Sequence, residues 1–244
     1  MAKFFTARKA YLAATVILVL LGGAAALWQL GKSRTFQFFG RIVPRVETSQ
    51  RVVALTFDDG PTRDRTAEVL RLLRAEQVRA TFFVTGGELE QNLDAGREIV
   101  AAGHELGNHS YSHERMVFVT PSFVQHEVER TDELIRAAGH TGEIYFRPPY
   151  GKKLFALPLY LSRHGRTTIT WDVEPDSELP ADADAAAITR HVMSRTRPGS
   201  IILLHVMYPS RAETMKAVPS IIEGLRREGY RFVTVSELLA AAEQ

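Results

Sequence analysis

From residue 52 onward the chain repeats one unit: a short apolar run, then an amphipathic stretch, joined by connections of a few residues. Runs at 52–57 (VVALTF), 80–84 (ATFFV), 104–107 (HELG), 144–147 (IYFR), 167–171 (TTITW), 201–205 (IILLH) and 231–235 (RFVTV) read as strands. Stretches at 65–76, 93–102, 122–138, 153–164, 183–196, 213–228 and 236–242 read as helices. The third of these follows a Pro121-Ser122 start signal and places Val124, Val128, Thr131, Leu134, Ile135 and Ala138 on one face. A helix after each strand returns the chain to the end it started from, so successive strands run parallel. The predicted fold class is α/β, as an open doubly wound sheet or a closed barrel. Seven strands in about 195 residues suit a slightly short barrel.

In either architecture, chemistry collects at the carboxyl ends of the strands. The chemically capable residues fall there. Asp58 and Asp59 end the first run in "TFDDGP", and His109 and His113 follow the third in "HSYSH". Arg147 opens "RPPYG" after the fourth, and Trp171, Glu174 and Asp176 lie in "TWDVEPDSE" after the fifth. His205 ends the sixth, otherwise apolar, run.

Two adjacent carboxylates at the end of a buried strand cost folding energy unless something compensates. The i, i+4 spacing of His109 and His113 lets both imidazoles face one ion from a helical turn or a folded loop. Two histidines and one aspartate with an open position make a hydrolytic divalent-metal site of the zinc type. The chain has no cysteine, so the donors are nitrogen and oxygen; zinc is the first choice, with cobalt and manganese next. One aspartate then binds the metal, and its neighbour, pointing elsewhere, is left to act as a base. An arginine on this rim suits the gripping of a carboxylate. A histidine there, titrating close to working pH, suits a general acid. Taken singly each residue has a plainer reading: a surface histidine pair, a helix-capping Asp turn, a core histidine, a core tryptophan. Their common rim favours the chemical one.

The start of the chain is of another kind. Residues 10–31 hold no charge, and 22 residues at 1.5 Å rise make a helix of about 33 Å, enough to cross a bilayer. Lys3, Arg8 and Lys9 precede it and favour a cytoplasmic N-terminus, a bias weakened by Lys32, Arg34, Arg41 and Arg45 beyond it. Trp28 reads as an interfacial anchor and favours an uncleaved signal-anchor, whereas Ala24, Ala25 and Ala26 resemble a cleavage site. Either way the remaining domain lies outside the cytoplasm, in periplasm or cell envelope. The expected organisation is a membrane or signal segment at 1–31, a basic irregular linker at 32–50 and a catalytic domain at 51–244.

The formal net charge of +2 hides an asymmetry: residues 1–45 carry seven Lys/Arg and no acid, leaving 23 basic against 28 acidic residues in the remainder. A mildly acidic body lacks the clustered positive charge of a nucleic-acid surface. The absence of cysteine also excludes a disulfide framework. No motif indicates a protein partner.

The motifs "TFDDGP", "HSYSH", "RPPYG", a Trp-acidic segment and "LLH", in this order, resemble the polysaccharide deacetylase family, carbohydrate esterase family 4 or NodB-homology domain, over about residues 51–240. The resemblance implies a distorted (β/α)7-type barrel that removes N-acetyl, sometimes O-acetyl, groups from a polymeric sugar. By motif, it implies Asp58 as catalytic base, Asp59, His109 and His113 as metal ligands, and Arg147 as the residue that orients Asp58. It implies further that the Tyr150 N–H stabilises the oxyanion, Leu204 lines the acetyl-methyl pocket, and His205 protonates the departing amine. The family's fourth motif usually supplies an Asp that pairs with the acid histidine, then a Trp that walls the site. A straight alignment puts Ser177 and Glu178 there, which leaves Asp176 and Glu174 as candidate carboxylates. Glu114 stands where a proline usually follows the second histidine. The altered wall keeps two alternatives open: an O-acetyl esterase or other acyl hydrolase of this fold, and a non-catalytic glycan-binding module of the envelope.

Overall fold

The structure, a computed structural model, describes the backbone of residues 2–241 and the side chains of these except residues 2–10, 12 and 13. The flanking cations Lys3, Arg8 and Lys9 and the last residue of the 236–242 stretch thus lie outside the described side chains or residues. A helix, α1 (Ala2–Gly31), precedes β1 (Ile42–Val43), and a mixed series of strands and helices follows. They are β2 (Val52–Asp58), α2 (Arg63–Ala75), β3 (Thr81–Val84), α3 (Gly86–Gln91), α4 (Leu93–Ala101), β4 (Glu105–Asn108) and α5 (Pro121–Ala137). After these come α6 (Ala156–Arg163), β5 (Thr168–Ile169), α7 (Ala185–Arg195), β6 (Ile201–His205), α8 (Ala212–Arg227), β7 (Arg231–Val233) and α9 (Val235–Ala240).

All the strand ladders are parallel, as repeated strand-then-helix units require. The central strand, β2, is buried along its whole length. It pairs with β6 on one ladder, and with β7 and β3 along its first and second halves. The main sheet runs β4-β3-β2-β6, and β1 and β5 form a separate pair. Single parallel bridges, Asn108 to Phe146, Phe146 to Thr168 and Val173 to Ile202, span the intervals from β4 through β5 back to β6. The ladders alone do not close.

The run 144–147 is therefore not a regular strand. It is extended, with Tyr145 O accepting from Asn108 N at 2.8 Å and Arg147 N donating to Asn108 O at 2.9 Å. Pro148 and Pro149, which have no N–H, end the pairing. The run 167–171 shrinks to the two residues of β5, whose ladder partner β1 is itself two residues long. Two elements were invisible to pattern reading: β1, two residues before Pro44, and α3, whose sequence GGELEQ opens on two glycines. Gly86 is required by space, since a Cβ there would lie 2.4 Å from Thr131 Oγ1 and 2.6 Å from the Tyr111 ring. The helix α5 behaves as its signals dictate: Thr120 caps it by accepting from Phe123 N, Pro121 opens it, and its apolar face is buried.

Alternation along the strands divides the core. Val53, Leu55 and Phe57 of β2 join Ile202 and Leu204 of β6 in the large cluster under α2 and α8. Val52, Ala54, Ile201 and Leu203 belong to a second cluster with Phe83, Tyr145 and Trp171. Period-two geometry thus puts Leu203 and His205 on one face and Leu204 on the other.

The apolar window 14–31 of α1 has a mean hydropathy of 1.8 and is only 6% buried. Beyond it the chain folds onto the body rather than crossing free space. The strand β1 pairs with β5, Val43 and Val46 are buried, and Arg45 donates to the Pro198 carbonyl at 2.8 Å.

Candidate active site

The register of β2 assembles the first half of the site. Asp58, its last residue, lies opposite Phe83 on β3 and His205 on β6. Arg147, wholly buried, donates from one terminal nitrogen to Asp58 Oδ1 at 2.5 Å and to Thr56 Oγ1 at 2.8 Å. Its other terminal nitrogen donates to the Thr170 carbonyl at 3.2 Å. The guanidinium also sits 3.9 Å from the centroid of the Phe83 ring. A buried arginine with this many fixed partners is a clamp, and it leaves Asp58 Oδ2 facing His109 Nε2 at 3.5 Å.

Asp59 turns the other way. Its φ of 75° places it in the left-handed region, which costs an ordinary residue energy and lets consecutive carboxylates point apart. His113 and Ser110 share that conformation, at 59° and 66°. Asp59 Oδ1 lies 3.3 Å from His113 Nε2 and 3.9 Å from His109 Nε2. One donor atom from each of the three residues falls within 4.8 Å of the others. His109 Nδ1 is 2.7 Å from the Arg147 carbonyl, which can only accept, so Nδ1 carries the proton and Nε2 offers its lone pair. Burial pushes the His109 pKa down, against the opposing pull of Asp58, and keeps the ring neutral. Asp59 Oδ1 is buried with no hydrogen-bond partner among the described residues. A bare carboxylate oxygen facing two imidazole nitrogens fits a divalent cation.

The loop that bears the two histidines is held by residues that pattern reading passed over. Asn108 Oδ1 accepts from Ser110 N at 2.8 Å, and its amide donates to Val128 O and Asp132. Glu127, buried on α5, accepts from the N–H groups of Tyr111 and Ser112 at 3.0 and 2.8 Å. Across the cleft mouth, Glu88 accepts from Gly60 N at 2.8 Å and from the Tyr208 hydroxyl at 2.9 Å. The signal for Glu127 was present: it is an acidic residue on the otherwise apolar face of Val124, Val128 and Thr131.

The second half of the site joins the end of β6 to loop residues. His205 Nδ1 pairs with Asp176 Oδ2 at 2.7 Å, and Arg211 approaches the same oxygen at 3.2 Å. Burial disfavours a charged His205, but the bond to Asp176 and the nearby Asp58 and Asp59 outweigh it and raise its pKa. Burial likewise acts to raise the Asp176 pKa, and the bond to His205 and the charge of Arg211 bring it down. Glu174 instead accepts from the Ser177 hydroxyl. Of the two candidate carboxylates, Asp176 is the one at the histidine.

Trp171 lines the cleft with Leu203, and Tyr150 stands at its lip. Tyr150 has a φ of 57°, and its ring centroid is 4.7 Å from that of His113. Leu204 is displaced from its expected place: it is wholly buried in the large cluster, and Leu203 is the leucine that reaches the cleft. The strand alternation stated above is the reason. The cleft encloses about 650 Å³ and holds Asp58, Asp59, His109, His113 and His205 together.

The sequence model of the family described as polysaccharide deacetylase matches residues 45–169 of this chain. A peptidoglycan-N-acetylglucosamine deacetylase of Bacillus cereus is 32% identical over 200 residues, covering 82% of this chain and 93% of its own. This chain belongs to the polysaccharide deacetylase family. Among solved structures, a peptidoglycan N-acetylglucosamine deacetylase superposes with a TM-score of 0.75 at 29% identity, covering 80% of this chain and 91% of its own. A carbohydrate esterase family 4 pseudoenzyme from Bacillus anthracis superposes with a TM-score of 0.73 at 28% identity, covering 83% and 69%. Membership of the polysaccharide deacetylases thus brings the α/β fold and the deacetylase class, and turnover must be argued from the residues of this member.

Proposed function

We propose that this chain is a metal-dependent hydrolase that removes N-acetyl groups from an acetylated envelope glycan. The substrate class is that named for its Bacillus cereus relative, peptidoglycan. The observation that carries the reading is the placement of Asp58, clamped by Arg147, beside the Asp59–His109–His113 cluster and across the ladder from the His205–Asp176 pair.

Asp59, His109 and His113 would hold the cation, and their all-N/O donor set suits zinc ahead of cobalt or manganese. When bound, it supplies Lewis acidity toward the acetyl carbonyl and the attacking water. The rest falls to the chain. Arg147 occupies Asp58 Oδ1, so Oδ2 is free to take the proton of the attacking water. The water oxygen bonds to the acetyl carbon, and the carbonyl oxygen gathers charge within reach of the Tyr150 N–H. The C–N bond then breaks, and its electron pair takes a proton from His205 Nε2. Asp176 accepts from the other ring nitrogen and so favours the protonated imidazolium, the form whose Nε2 has this proton to give. Acetate and a free amino sugar leave. Leu203 and Trp171 bound the space for the acetyl methyl and the sugar.

The proposed organisation keeps α1 as a signal-anchor that delivers residues 51–244 outside the cytoplasm, with 32–50 between them. Its support is the length, hydropathy and exposure of α1. The test is acetate release by the zinc-loaded full chain in detergent from peptidoglycan and from N-acetylglucosamine oligomers. Asp58→Asn should lower turnover by about 10³- to 10⁴-fold while metal content, measured by elemental analysis, stays unchanged. Near-normal turnover by that variant refutes the base assignment. Faster release from acetylated xylan than from chitin oligomers would establish the esterase alternative, and binding with no release at all the glycan-binding one.

A further inference from the structure

The segment between α1 and β1 is bonded into the cleft. Gly31 O accepts from Lys153 N at 2.7 Å, Ser33 O from Lys153 Nζ at 2.5 Å, and Arg34 O from the Thr170 hydroxyl at 2.6 Å. Lys153 is itself buried, so these bonds fix the segment to the interior of the domain. They carry the side chains of Lys32 and Arg34 into the cleft lining, beside Trp171 and Glu174.

Arg34 is held at one end only. Its NH2 nitrogen lies 3.7 Å from Glu178 Oε1, and Glu178 is shared with His191 and Arg195, each at 3.6 Å. Its guanidinium carbon is 5.8 Å from the Trp171 ring centroid, and Arg147 is 5.7 Å from the same ring. Arg34 thus stands one aromatic ring away from the guanidinium that clamps Asp58. Its NH1 nitrogen is buried with no hydrogen-bond partner among the described residues. A buried guanidinium N–H without an acceptor is costly, and an anionic acceptor is its best complement.

The charges of the cleft show where that acceptor comes from. Asp58 is matched by Arg147 and Asp176 by His205 and Arg211, Asp59 faces His109 and His113, and Glu174 accepts from the Ser177 hydroxyl. Lys32, Arg34 and Lys152 cluster on the leader side of the cleft, where Glu178 is already shared between Arg34 and Arg195 and has His191 Nε2 3.6 Å away. Glu178, where a straight alignment puts the family's wall tryptophan, stands behind the cleft lining and pairs with Arg34 from a distant part of the chain.

We propose that Arg34, assisted by Lys32, forms a subsite for a carboxylate carried by the glycan substrate, borne by a lactyl-ether sugar or by a uronic acid. This rests on the deacetylase reading and adds the class of sugar that the site selects. Binding is measured by calorimetry in the zinc-loaded, full-length Asp58→Asn background, where no turnover interferes. The probes are peptide-free peptidoglycan strands with free lactyl carboxylates, the same strands with those carboxylates amidated, hyaluronan oligomers bearing uronates, and neutral chitin pentamer.

Arg34→Gln should weaken binding of a carboxylated probe by about tenfold and leave the chitin pentamer unchanged. Amidation of the strands should cost a similar factor without any mutation. Arg34→Lys should recover part of the loss, which a merely structural role would not allow. The probe that shows the charge dependence identifies the source of the carboxylate. Equal effects of Arg34→Gln on charged and neutral probes, or no effect on either, overturn the subsite. Absence of acetate release by the unmutated chain, with charge-dependent binding intact, would instead overturn the deacetylase reading and leave the subsite standing.

Discussion

The two walls of the cleft are built by different means. On one side Asp58 ends β2, His109 follows β4, and Arg147 closes the extended run that bridges β4 and β5. Ladder register sets their places, and a slip of one residue would turn each side chain to the opposite face. On the other side Trp171, Asp176 and Ser177 come from the loop after β5, with Glu178 behind them, and Lys32 and Arg34 from the segment after α1. No ladder holds these residues, so all but Asp176, which serves His205, are free to change with the substrate. The sheet places the chemistry, and the loops choose what the chemistry meets.

The strongest way to break this comparison is to remove a ligand from the sheet-built wall. Asp59→Asn, or a chelator, should strip the cation and reduce acetate release on the order of 10³-fold, with activity returning when zinc is added back to the unmutated chain. Glu178→Gln on the loop-built wall should change turnover on a neutral glycan by less than about threefold, the range of a weak exposed ion pair. Comparable losses from the two would mean that the walls do not divide the work.

Asp176→Asn tests the acid across the cleft and should lower kcat by about 10- to 100-fold with metal content intact. Its pH profile carries a sign. His205 must be protonated to give up its proton, so activity falls as pH rises through its pKa, which Asp176 and the neighbouring carboxylates hold above the ordinary value. Removing the Asp176 charge lowers that pKa and should move the alkaline limb to lower pH. A limb that stays in place would show that another group sets it.

Glu127→Gln should loosen the histidine loop, because a neutral amide accepts less strongly from the Tyr111 and Ser112 N–H groups. A loss of about tenfold in metal affinity, read by competition with a chelator, is expected. The smallest effect on catalysis separates two adjacent leucines. Leu203→Ala should raise KM a few-fold with stability little changed. Leu204→Ala should cost about 2–5 kcal/mol of stability in denaturant unfolding and leave KM alone.

Most of the sheet-built wall was legible because each of its residues follows an apolar run whose end can be read locally. The leucine assignment failed at a point where local reading was sufficient: counting two back from His205 along a strand gives Leu203, and the motif pointed one residue on. Glu127 was legible in principle as a carboxylate on an apolar helix face. Choosing Asp176 over Glu174 needed coordinates, since both lie in one loop and only its path decides which reaches His205. β1 and the role of Arg34 were beyond any local reading. Two strand residues before a proline have no periodicity, and the partners of the 31–34 segment lie more than a hundred residues away.

The bond between Gly31 O and Lys153 N leaves the leash without slack. Nineteen loose residues between helix and body would let a domain sweep some 60 Å from its mooring, at about 3.3 Å per residue. Here the mooring post and the workbench are one piece. Were α1 to lie in a bilayer, as proposed, the opening would stand at the foot of that helix, and sugar strands lying against the lipid would be the ones within reach.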